Sequence, residues 1–97
     1  MSLFCSRQLK AINAGGIHPD FLVAIDVPIR VEGDWVAKLY IGDFSAAIFG
    51  VDSWQAVTLA MKFINSELSS RKKHGWKFFA FGSDIEIDFS DSDFNLS

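Results

Sequence analysis

The alternation of apolar and polar positions divides the chain into strands around one helix. Between Phe21 and Val31, the residues Phe21, Val23, Ile25, Val27, Ile29 and Val31 alternate with Leu22, Ala24, Asp26, Pro28, Arg30 and Glu32. A period of two with one wholly apolar face predicts a strand packed on a core. Pro28 has no amide hydrogen to give a ladder, so an edge, a bulge or a bend is expected there. Glu32-Gly33-Asp34 signals a hairpin turn. Trp35 to Ile41 is the next strand, with Trp35, Ala37, Leu39 and Ile41 inward, and Phe44 to Phe49 follows after Gly42-Asp43. Leu3 to Ile12 reads as a first strand with Leu3, Cys5, Leu9 and Ala11 in one register. Arg7 interrupts its apolar face, so a short helix stays open as an alternative.

At Val51 the period changes. Asp52 is placed to cap a helix, Gln55 stands three residues later as in a capping box, and Val51 and Ala56 occupy the two hydrophobic-staple positions. The helix is expected to run to about Arg71. Arg71-Lys72-Lys73-His74 suits a helix C-terminus electrostatically, and Gly75 suits its termination. On a helical wheel Trp54, Val57, Met61, Ile64 and Leu68 form an apolar stripe widened by Ala56 and Ala60. Leu59 and Phe63 make a second apolar ridge on its flank. A broad helix face spreading over a curved sheet is the plainer reading of that ridge; a surface covered by a second subunit is the sharper one.

Trp76 to Phe81 is expected as another strand. Ile85, Ile87 and Phe89, alternating with Asp84, Glu86 and Asp88, suggest a half-exposed edge strand. Ser90 to Ser97 reads as an acidic, serine-rich tail. Together these elements predict one α+β domain spanning 1–97: a curved antiparallel meander of four to six strands with one long helix across one face.

Asp34-Trp35 followed by a strand, and then Ile48-Phe49-Gly50-Val51-Asp52-Ser53-Trp54-Gln55-Ala56, resembles a group of small bacterial domains of unknown function. In that group a D-W-x-C strand precedes a helix opening G-V-D-S-x-Q-A-L, and Ile25-Asp26-Val27-Pro28 is similar to its proline-bearing strand. The resemblance spans about residues 20 to 70. Ala37 stands where the group often has Cys and Val57 where it often has Leu. The resemblance implies strands followed by a capped helix and carries no function.

Composition adds little chemistry. Half of the chain is apolar (49%), and ten Phe and three Trp in 97 residues are a large aromatic load. Either the core is unusually aromatic or another subunit covers part of that surface. A net charge of −3 gives no basic face for nucleic acid or an anionic membrane. No apolar run has the length of a membrane span, no secretion signal is read at the N-terminus, and a lone Cys5 suits a reducing compartment. The cytoplasm is the expected location.

Cys5, His18 and His74 are too scattered for a zinc site, so no metal or cofactor is expected. Ser45 lacks the flanking glycines of a nucleophile elbow. Asp26, Asp34 and Asp43 are conceivable general acids or bases, although turns account for the latter two. No catalytic residue is assigned.

Three functions stay open. The first is a non-enzymatic interaction module, a homodimer joined through Leu59 and Phe63. The second is an immunity- or inhibitor-type protein that meets a basic toxin through Asp84, Glu86, Asp88, Asp91 and Asp93, read as lacking local basic partners. The third is a small ligand binder or enzyme, which would need a pocket with convergent polar groups.

Overall fold

The structure is a computed structural model describing residues 2–82 and 85–87. Strands β1 (Leu3–Ile12), β2 (Asp20–Asp26), β3 (Ile29–Val31), β4 (Asp34–Ile41) and β5 (Phe44–Gly50) precede helix α1 (Ser53–Lys73) and strand β6 (Lys77–Ala80). All pairings are antiparallel. β2 and β3 lie end to end along one edge of β4, β5 takes its other edge, and β1 bridges β2 to β6. The meander therefore runs from β1 to β5, and the chain returns through α1 to add β6 beside β1. The α+β architecture with one helix on an antiparallel sheet is as the alternation predicts.

The expected single strand from Phe21 to Val31 is two strands. Ile25 pairs with Leu39 and Ile29 with Val36, so Asp26, Val27 and Pro28 stand opposite only Ala37 and Lys38. This is a bulge: one extra residue on one strand. An extra residue inverts the phase of everything after it, because successive side chains alternate between faces. Phe21, Val23 and Ile25 are buried beneath the helix, whereas Ile29 and Val31, expected on that same face, are exposed. β1 carries a second irregularity at the same corner. Leu3 pairs with Asp26 and Cys5 with Ile25, leaving Phe4 without a counterpart.

Helix α1 starts as expected. Asp52 Oδ1 accepts the Gln55 amide at 2.7 Å, and Gln55 Oε1 reaches back to the Val51 amide at 2.8 Å. Val51 is exposed and forms no staple with Ala56. What holds the entry instead is a close backbone approach, since a Cβ on Gly50 would lie 2.6 Å from the Ala56 nitrogen. The buried row is Ala56, Ala60, Ile64 and Leu68, with Val57 and Met61 half-buried and Trp54 82% exposed. Two alanines under the first turns let the helix lie close to the sheet, which rotates Trp54 outward from the expected stripe.

The other end is closed by a Schellman pair. The Trp76 amide donates to the Arg71 carbonyl at 3.0 Å and the Gly75 amide to Lys72 at 3.2 Å, with Gly75 at φ +97°. The turn delivers Trp76 onto Phe78 (5.7 Å between ring centroids), and the Arg71 guanidinium lies over both Trp76 and Phe21. Three rings, Phe21, Trp76 and Phe78, thus close this end of the core, whereas Phe4, Phe44, Phe49, Trp54 and Phe81 are exposed.

Beyond β6, Ile87 is buried and its amide donates to the Phe78 carbonyl at 2.8 Å, while Phe79 bridges Glu86. The expected strand is therefore an isolated bridge here, and Ile85 is exposed rather than inward. Phe89 and the tail from Ser90 lie outside the described residues.

The substitution Gly50→Ala forces atoms into the Ala56 backbone and is expected to lower stability by about 1–3 kcal/mol, the usual cost of overpacking. Urea denaturation measures this, and an unchanged unfolding midpoint would refute the close approach.

Candidate functional site

The extra residue at Val27–Pro28 bends the strand away from β4, and a cleft opens on each face of the sheet. Val27 contributes to both.

On the helix face, α1 packs against β4, β5 and part of β2. The corner left beside its N-terminal half is a groove of about 630 Å³. Phe4 from the β1 irregularity, Val27 and Pro28 from the bulge and Trp35 from β4 form one wall. Trp54, Val57 and Met61 from α1 form the other. Ser53 and Thr58 are its polar members, and no lining residue is charged. Although it lines this groove, Trp54 is 82% exposed.

On the opposite face lies a cleft of about 420 Å³ lined by Ser2, Asp26, Val27, Ile29, Val36 and Lys38. Asp26 is only 8% exposed. Its Oδ2 accepts a 2.9 Å bond from the Tyr40 hydroxyl, while Oδ1 is buried and accepts nothing from the described residues. An unsatisfied buried acceptor costs about 1–3 kcal/mol, and such groups are rare enough to call for a reason. The bond to Asp26, with burial and the carboxylate charge adding to it, pushes the Tyr40 hydroxyl above its ordinary pKa.

The predicted interface residues lie on the other flank of α1. Leu59 is 39% exposed. Phe63 is half-buried, stacks on Phe44 with centroids 6.1 Å apart and packs against the core. Of the acidic set, Glu86 has a basic partner, contrary to the expectation: Lys72 Nζ lies 3.0 Å from its carboxylate and also donates to the Ile87 carbonyl at 3.2 Å. Asp84, Asp88, Asp91 and Asp93 lie outside the described residues. Asp34, the first residue of β4, and Asp43, in the β4–β5 turn, are exposed and line neither cleft. Cys5 is half-buried, and burial pushes its thiol pKa up.

Sequence reasoning passed over both Trp54 as a surface residue and Asp26 as an orphaned carboxylate. Pro28 marks the corner where the strand has to leave the ladder, but nothing local signals the exposure of Trp54 or the burial of Asp26.

Compared with known proteins, the chain matches no family model, no curated protein and no solved structure.

Tyr40 is the sole tyrosine of the chain, so tyrosinate absorbance reports it alone. Its raised value favours the neutral hydroxyl in the folded state. The stability this contributes is complete below the unfolded value, about 10, and is lost as pH rises through the folded value. The absorbance midpoint is expected above that of the denatured chain, and Asp26→Asn should lower it. Coincident folded and denatured midpoints would contradict the Tyr40–Asp26 bond.

Proposed function

We propose that this chain is a non-enzymatic interaction module of the cytoplasm that pairs with a second copy of itself through the helix-face groove. The observation that carries this reading is an exposed ring on the wall of a recess: Trp54, 82% exposed, on the helix side of an uncharged apolar groove. A two-fold axis needs a self-complementary patch, and a protruding ring next to a recess satisfies it, each Trp54 entering the partner's groove. Exposed aromatics at the centre of an apolar patch are the usual anchors of such contacts. Because the groove lining is uncharged, the shared net charge of −3 brings no like charges together at its centre.

The flank at Leu59 and Phe63 supports the dimer less well, since Phe63 already spends its ring on Phe44 and the core. The inhibitor reading loses Glu86 to Lys72.

Trp54→Ala should weaken the dimer by about 2 kcal/mol or more, roughly thirty-fold in Kd. It should leave protomer stability within about 0.5 kcal/mol, as for other surface changes. Sedimentation velocity over a concentration series reads the first effect and urea denaturation the second. A parent protein that stays monomeric at high micromolar concentration would overturn the proposal. A dimer unaffected by Trp54→Ala but dissociated by Leu59→Asp would move the interface to the other flank.

A further inference from the structure

The second cleft, on the face away from the helix, has its own chemistry and does not depend on self-association. Its one buried polar anchor is Asp26, with Oδ2 held by Tyr40 and Oδ1 unpartnered among the described residues. No cation of the described residues pairs with this carboxylate. Its apolar walls are Val27, Ile29 and Val36, and Ile29 is there only because the bulge inverted its phase. Lys38 and Ser2 complete the lining.

A carboxylate removed from water needs both hydrogen-bond donors and a countercharge. A neutral hydroxyl or amide would supply only the donor. A divalent metal would need several oxygen ligands, whereas this cleft offers one carboxylate. A primary ammonium supplies charge and donors together, and a short hydrocarbon chain on it matches the walls. A volume of about 420 Å³ lies within the range of small-ligand clefts. We infer that this cleft binds a small primary alkylammonium ligand, its nitrogen on Asp26 and its chain on Ile29 and Val36. Lys38 carries the same ammonium on a tether and is the built-in competitor.

The test is a titration of the isotope-labelled protein with n-pentylammonium, followed through the backbone amides of Val27, Ile29, Val36 and Lys38. The inference expects saturable shifts at those amides in the millimolar range. Pentan-1-ol and pentanoate, with the same chain and no cation, should give at least tenfold weaker effects. Methylammonium, lacking the chain, should bind several-fold more weakly for each methylene removed. Asp26→Asn should weaken pentylammonium at least tenfold, and Lys38→Ala should tighten it. Equal responses to amine, alcohol and acid, or no saturable shift, would overturn the inference. So would an Asp26→Asn protein that binds like the parent, or a Lys38→Ala protein that has lost binding. The comparison among probes uses the unaltered protein, so it decides the matter even if Asp26→Asn fails to fold.

Discussion

Three residues facing two is the constraint from which the distinctive features of this sheet follow. Pro28 has no amide to place in the ladder, and the strand bulges where it would have had to donate. Before the bulge, Phe21, Val23 and Ile25 build the core; after it, Ile29 and Val31 turn to the opposite face. The β1 irregularity at Phe4 sits against the same corner, so two neighbouring strands leave regular pairing together. The two clefts are the two faces of that corner, with Val27 shared between them, and Asp26, the last residue of β2, is buried in the one away from the helix.

The helix makes the corner consequential. Ala56 and Ala60 with Gly50 draw its first turns close to the sheet. Its packing on β4, β5 and part of β2 leaves the bulged corner beside it open, and Trp54 projects there. At the far end Arg71, Trp76, Phe21 and Phe78 close the core. The molecule is thus sealed at one end of the helix and open at the other, and its uncharged recess lies at the open end.

The features legible in the sequence were those set by neighbours in the chain. The Asp52 cap and its Gln55 partner, the Gly75 terminus and the hairpin at Glu32-Gly33 depend on residues a few positions apart. The phase inversion was hidden because Val27, Ile29 and Val31 continue the apolar alternation of β2 unbroken through Pro28. A wheel drawn from hydrophobicity places Trp54 in the stripe. It cannot register that the small alanines, by permitting close approach, shift the centre of packing toward themselves. Asp26 became a site only through Tyr40, 14 residues away on β4, and the Lys72–Glu86 pair arises from the return of residues 85–87 beside β6. These are contacts of tertiary structure, without local signature.

The central claim is that one surplus residue opens the corner. Deleting Pro28 leaves Asp26 and Val27 opposite Lys38 and Ala37 and keeps every later side chain on its present face. Sedimentation velocity of that deletion variant, its folding checked by circular dichroism, is the direct measurement. The expected result is a folded protein with a continuous β2–β3 strand that stays monomeric at concentrations where the proposed dimer of the parent would form. A deletion variant that unfolds, or that self-associates as strongly as the parent, would contradict it.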